Sequence, residues 1–131
     1  MKKIKKYLLV FLVFILCIGV FAYFKINSQS KKSINSIKIE NIDLSTVKNG
    51  TYLGSYTSNP CAAKVRLTIE NHQIKNIELL EHQKGLGGKA EVILDDVVES
   101  QSLEVDTISG ATLSSKVLLK SVENAIIEGE K

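Results

Sequence analysis

The feature that most limits how this chain can fold is a long uncharged run near its N-terminus. The run extends from Tyr7 to Phe24, and lysines at positions 2, 3, 5 and 6 precede it. A helix of this length spans about 27 Å, which is close to the thickness of a bilayer core. We therefore expect residues 1–25 to form a basic head and one N-terminal transmembrane helix, with any folded domain after it.

A cleaved signal peptide is the alternative interpretation of this run, but its apolar region is usually only about 7–15 residues long. Ala22 lies between Phe21 and Tyr23, which is not a small-residue cleavage site. The bulky Leu16 before Cys17 also disfavours a lipid-modified cysteine. By the positive-inside rule the N-terminal lysines stay in the cytoplasm, so a single-pass cell-membrane protein with an extracellular C-terminal domain is expected. The sequence leaves open whether the segment is cleaved.

The charge and the cysteines exclude two classes of partner. The formal net charge is +3, but much of it comes from the N-terminal lysines and from Lys25, Lys31 and Lys32 beside the apolar run. The remainder of the chain has no basic field of the kind that binds nucleic acid. The two cysteines, Cys17 in the apolar run and Cys61 after it, are not expected to form a disulfide and are too few for a metal cluster.

The part that follows the apolar run divides into a tether and a folded domain. Residues 26–47 are rich in Ser, Asn and Lys with scattered isoleucines. Stretches of this composition seldom pack well, so they predict a flexible tether. The pair Asn49 and Gly50 is a turn signal, and the domain is expected over residues 48–131.

The domain is predicted to begin with three antiparallel strands. Residues 51–57 are rich in aromatic and β-branched side chains. Apolar and polar residues alternate over residues 63–70, which places one face of that strand on a core. A turn at residues 71–73 and a third strand over residues 74–80 complete a hairpin.

Two helices are predicted after the strands. Residues 82–88 form a glycine-rich loop, and residues 90–99 have apolar side chains near helical spacing. A final helix over residues 116–128 carries one apolar stripe, formed by Leu118, Val122, Ala125 and Ile126. The fold class is therefore α+β, a small antiparallel sheet with helices packed on one face.

A run of small and hydroxyl-bearing residues precedes the final helix. Backbone N–H groups are unpaired at a helix start and the helix dipole favours negative charge there, so such a turn can hold a phosphate. From the residues alone, a serine-capped helix start is the simpler interpretation. The run consists of Asp106, Thr107, Ile108, Ser109, Gly110, Ala111, Thr112, Leu113, Ser114 and Ser115.

This run resembles the signature of the FMN-binding domain family, which includes the flavin subunits of the Rnf complex and of the sodium-pumping NADH:quinone oxidoreductase. The family pattern is Asp, two residues, Ser or Thr, Gly-Ala-Thr, one residue and hydroxyl residues, and every position matches. The order of elements from Asn49 to Glu128 is also similar. The resemblance implies FMN as cofactor, joined by a phosphoester bond to Thr112. It further implies a flavin transferase as partner, with FAD as the FMN donor.

The resemblance also suggests which other residues contact the cofactor. The three residues before the loop glycines, His82 to Lys84, differ from the Glu-Thr-Pro of the respiratory relatives. Lys84 or Lys89 close to the flavin ring would favour the anionic reduced flavin. A flexible connection is the alternative interpretation of this loop. The implied cofactor-binding residues, besides Thr112, are Asp106, Ser109, Gly110, Ala111, Ser114, Ser115, Gly85 and Gly87.

The function expected from this resemblance is electron transfer by a membrane-anchored, extracytoplasmic flavoprotein with an unidentified electron donor and acceptor. No acid/base pair or metal-ligand set is evident, so an enzyme with its own substrate is less expected. His72 is expected to be solvated, Cys61 to be no nucleophile, and Tyr52 and Tyr56 to pack in the core. The alternatives are an anchored binding or sensing domain with non-covalent FMN or none, and a subunit of a larger membrane redox complex.

Overall fold

The computed structural model describes residues 1–83 and 88–131, except for the side chains at positions 27, 29 and 30. The chain forms two compact units, Met1–Lys32 and Ser33–Lys131. Helix α1 extends over Lys2–Ser36. Its most apolar window is long and hydrophobic enough to cross a membrane, and 0% of that window is buried within the protein. Helix α1 is thus a candidate membrane span, as expected from its sequence.

The second unit contains the predicted antiparallel sheet. Its strands are β1 (Gly50–Ser58), β2 (Cys61–Glu70) and β3 (Gln73–Gln83), in the order β1-β2-β3. One face of β2 is buried in the core, as the alternation predicted. The buried side chains of that face are Cys61, Ala63, Val65, Leu67 and Ile69.

The helices confirm the α+β fold class but begin at different residues from those predicted. A 3-10 helix occupies Gly88–Val92, and α2 follows it over Ile93–Ser100. Helix α3 extends over Thr112–Glu130, so the last hydroxyl residues of the run, Thr112, Ser114 and Ser115, lie inside the helix instead of before it. The predicted apolar stripe of α3 is buried.

The end of α2 is fixed to the sheet by the side chain of Gln101. This residue has a left-handed backbone, with a φ of 55°. Its Oε1 accepts the N–H of Ile74 at 2.7 Å, and its Nε2 donates to the carbonyl of Ile74 at 2.9 Å. The side chain thus pairs with β3 as a neighbouring strand would, and it holds α2 against that strand.

Helix α3 packs directly on β1 because Gly54 has no side chain. A Cβ on Gly54 would overlap the carbonyl oxygen of Ser121 and lie 2.5 Å from the amide nitrogen of Ala125. The backbones of the strand and the helix are therefore in direct contact at this point.

Residues 37–47 pack against the domain, which differs from the expected tether. Ile37 and Val47 are buried in the core. The scattered isoleucines of this segment supply the apolar contacts that its overall composition did not suggest. The other apolar residues packed against the core from this part of the chain are Ile34, Ile39, Ile42 and Leu44.

Hydrogen bonds hold this segment along α3. The Nζ of Lys116 donates to the carbonyl of Ile34 at 2.9 Å, and the Nζ of Lys120 donates to the carbonyl of Lys38 at 2.9 Å. The buried Glu123 accepts the N–H of Glu40 at 3.3 Å and pairs with Lys120 at 2.9 Å. Residues 34–48, which we call the strap, therefore follow α3 in the same direction.

We expect Gly54→Ala to destabilise the domain, because the added methyl group has to push α3 away from β1. Overpacking of this kind costs about 1–3 kcal/mol or more. The free energy of unfolding, measured by chemical denaturation, checks this. The neighbouring exposed Ser55 is a matched control, and Ser55→Ala should change stability by less than about 0.5 kcal/mol. Equal stability of the two variants would contradict the close approach.

Candidate functional site

The turn before α3 leaves the first amide groups of the helix without a side-chain cap. Gly110 has a φ of 74°, and the N–H of Ala111 donates to the carbonyl of Ile108 at 2.9 Å. The N-cap position is occupied by Ala111, which has no side-chain acceptor. The interpretation of this turn as a serine-capped helix start is therefore wrong. The uncapped N–H groups of a 19-residue helix can bind an anion.

Ser115 keeps the turn in this shape. Its side chain is buried, its hydroxyl accepts the N–H of Ile108 at 3.0 Å, and the same hydroxyl donates to the carbonyl of Ala111 at 2.8 Å. The hydroxyl of Ser114 is also buried and lies 3.2 Å from the Sγ of Cys61 on β2. These two serines, which were expected to contact the cofactor, fix the first turn of α3 to the domain.

The accessible part of the turn consists of the other predicted residues. Thr112 is half-buried at the first position of α3, and Ser109 and Gly110 are exposed. Thr112 is therefore partly accessible at the uncapped start of α3, and exposed residues of the turn precede it.

Lys89 of the 3-10 helix supplies a positive charge at this turn. A Cβ on Gly110 would lie 2.8 Å from the Nζ of Lys89 and 3.5 Å from its Cε. The lysine side chain thus occupies the space that the glycine leaves open. Its ammonium group and the dipole of α3 both favour a negative charge at the turn.

Asp106 lies in a different electrostatic environment. It is exposed and lines an open acidic cavity, whereas the hydrogen bonds that shape the turn come from Ser115. The other carboxylates of the cavity would repel a phosphate group. Its lining residues are Asp96, Glu99, Ser100, Glu104, Val105 and Asp106.

A buried histidine lies on the inner face of the sheet at the end of β3. The side chain of His82 is 3% exposed, and its Nδ1 lies 2.9 Å from the Oε1 of Glu91. Among the described residues, its Nε2 is a buried polar atom with no hydrogen-bond partner. A register shift between Lys64 and Val65 turns His82 inward, so that it pairs with Ala63 of β2.

The histidine and the motif turn lie at the same end of the sheet. Cys61 precedes Ala63 on the inner face of β2, and its thiol contacts Ser114 in the first turn of α3. On the other side, Glu91 and Lys89 belong to one 3-10 helix. The buried imidazole is therefore connected to the uncapped turn by two sets of residues, one through β2 and Ser114 and the other through the 3-10 helix.

The remaining sequence predictions have mixed outcomes. His72 is exposed in a turn, and Tyr52 and Tyr56 pack against the core, as expected. Gly85, Gly87 and Lys84 lie outside the described residues. Glu91 was not predicted from the sequence. The signal that points to such a residue is a histidine close to a core-facing strand, because a buried imidazole ring needs a hydrogen-bond partner. In the described part of the chain, no group of three metal-ligating side chains is present.

Comparison with known families gives a match that covers this site. A family described as FMN-binding domain matches residues 62–127, which extend from β2 into α3 and include the whole motif. No curated protein matches the chain.

We expect Ser115→Ala to destabilise the domain, because the partly buried N–H of Ile108 loses its acceptor. An unsatisfied group of this kind costs about 1–3 kcal/mol. Ser109→Ala is the matched control, since Ser109 is exposed in the same turn. Chemical denaturation of both variants checks this, and a Ser115→Ala variant as stable as Ser109→Ala would refute the role of Ser115.

Proposed function

We propose that this chain, which belongs to the FMN-binding domain family, carries FMN covalently on Thr112 and transfers electrons at the outer surface of a membrane. FMN is the cofactor of the family, and the chain is therefore a flavin-binding protein. Our proposal goes beyond flavin binding in three respects: the covalent bond to Thr112, the location at the outer surface of a membrane and the transfer of electrons. The observation that carries the proposal is the position of Thr112 in an uncapped helix turn beside Lys89.

The residues of the turn fit a phosphate group. Uncapped amides at the start of α3 and the ammonium of Lys89 supply positive potential. Gly110 has no Cβ, and this leaves the space in which the ammonium of Lys89 lies close to the turn. The carboxylates around Asp106 line a cavity whose lining does not include Thr112.

Thr112 offers one group that can accept a phosphoryl group, its hydroxyl oxygen. We propose that a flavin transferase uses FAD as donor for this acceptor. The Thr112 oxygen forms a bond to the phosphorus of the FMN half and loses its proton, while the bond to the AMP half breaks and AMP leaves. The product is a phosphodiester with one negative charge, which the uncapped turn and Lys89 stabilise. Asp106, exposed at the start of the motif, is available for recognition by the transferase.

The location follows from helix α1 and its flanking charges. A single membrane helix with lysines at its N-terminus would hold the second unit outside the cell. Outside the cell, a cofactor that dissociates diffuses away, whereas a covalently bound cofactor stays on the protein. This is a physical reason for a covalent bond at that location. FMN supplies reversible one- and two-electron chemistry when bound. We therefore propose a flavoprotein that transfers electrons between an unidentified donor and acceptor.

We expect Thr112→Ala to carry no covalent FMN after co-expression with a flavin transferase, because the acceptor oxygen is absent. Thr112→Ser is the matched control and should still be modified, since it keeps a hydroxyl at that position. Intact-mass measurement of the denatured chain, followed by peptide mapping, checks both. An FMN mass on Thr112→Ala, or none on the wild-type chain, would refute covalent attachment at this residue.

We expect Lys89→Gln to slow flavinylation by roughly two- to fivefold, because one positive charge beside the accepted phosphate is lost. The exposed Lys75 on β3 is the control, and Lys75→Gln should react at the wild-type rate. The rate is followed by the increase in covalently bound flavin absorbance with time. Equal rates for the two variants would show that Lys89 has no electrostatic role.

A further inference from the structure

We infer that His82 hydrogen-bonds the ring system of the bound flavin through Nε2, with Glu91 as the positioning residue for the imidazole. This inference rests on FMN binding and extends it from the phosphate end of the cofactor to its ring. The observation behind it is a buried polar atom without a partner at the same end of the sheet as Thr112.

The Nε2 of His82 is expected to bind a ligand, because it has no hydrogen-bond partner among the described residues. Buried polar atoms in proteins almost always have a hydrogen-bond partner, and one without a partner costs stability. The side chain of His82 is 3% exposed. Among the side chains of the described residues, the Nε2 of His82 is buried and has no hydrogen-bond partner. A cofactor that brings its own polar atoms can satisfy it.

Glu91 fixes which nitrogen of the ring is available. The Oε1 of a carboxylate can only accept, so the Nδ1 that lies 2.9 Å from it carries the hydrogen. Nε2 is then an acceptor if the imidazole is neutral and a donor if it is protonated. In both states this atom stays free for an additional hydrogen bond.

The position of His82 matches the ring end of the cofactor better than its phosphate end. In the proposed function, Lys89 and the amides at the start of α3 hold the phosphate. A ribityl chain separates the phosphate of FMN from its ring, so contacts to the ring are expected away from the turn. His82 is not part of the turn, but it is connected to the turn through Cys61 and Ser114 on one side and through the 3-10 helix on the other.

A hydrogen bond from His82 should favour the reduced flavin. A protonated imidazole donates to a ring that becomes richer in electrons on reduction. A neutral imidazole accepts from the ring N–H that reduction adds. Either state binds the reduced ring more tightly than the oxidised ring, so the reduction potential is raised.

The test separates the two nitrogens of His82 with two amide variants in the full-length chain. His82→Gln keeps a polar atom near the position of Nε2, and His82→Asn keeps one near Nδ1 and loses Nε2. After the FMN mass on each variant is confirmed, the midpoint potential is measured. We expect His82→Asn to lower the potential by about 30 mV or more, which is a tenfold change in relative affinity for a two-electron couple. His82→Gln should stay closer to the wild type.

Three outcomes would overturn the inference. An unchanged potential in fully loaded His82→Asn would refute the ring contact. The reverse order, with Asn close to wild type and Gln shifted, would show that His82 acts only through Glu91. A shift of the same size in His72→Asn, the exposed control histidine, would show a general effect of histidine loss.

A second measurement keeps this test independent of covalent attachment. Nitrogen NMR of the full-length chain, labelled at histidine, should show a displaced Nε2 resonance for His82 with FMN present and an unchanged one for His72. If the wild-type chain carries no FMN mass, the proposal for Thr112 fails, and free FMN is added to the same sample instead. A His82 resonance that moves with free FMN supports the ring contact, and one that does not move refutes it.

Discussion

The burial of α3 between the sheet and the strap is the interaction on which the rest of the domain depends. On one side its backbone meets β1 at Gly54, and on the other its lysines and Glu123 hold the strap by backbone hydrogen bonds. Where a helix is buried on two sides, the polar side chains at its contacts need hydrogen-bond partners, and close contacts need small residues. Ser121, buried at the contact with β1, meets this need by donating to the carbonyl of Leu118 at 2.7 Å.

The functional site is a consequence of how firmly α3 is held at its first turn. Ser114 and Ser115 point into the domain, so the helix start cannot rotate without breaking buried contacts. The half-buried Thr112 and the open backbone of Gly110 are thereby presented at a fixed place. The site thus combines a rigid support with an accessible acceptor atom, and its positive charge comes from a different element, the 3-10 helix.

The sequence predicted the elements whose pattern is local and missed those that depend on distant contacts. The alternation in β2 and the apolar stripe of α3 follow directly from periodicity. The strap was not predicted, because its isoleucines pack against parts of the chain that are distant in sequence. The register shift in β3 reverses the alternation before His82, so the inward position of this residue could not be deduced from spacing. The approach of Lys89 to Gly110 brings together the 3-10 helix and the turn before α3, and no local pattern in either segment predicts it.

The order of the elements along the chain has a consequence for how the domain folds during synthesis. The strap and β1 both pack on α3, yet α3 follows all of them in sequence, and the contact of Ile34 with Lys116 spans a separation of 82 residues. Contacts with such long separation form slowly, because a large loop has to close first. The isoleucines of the strap and the inner face of the sheet therefore stay uncovered until α3 has left the ribosome. Until then these uncovered apolar surfaces make the emerging chain prone to aggregation.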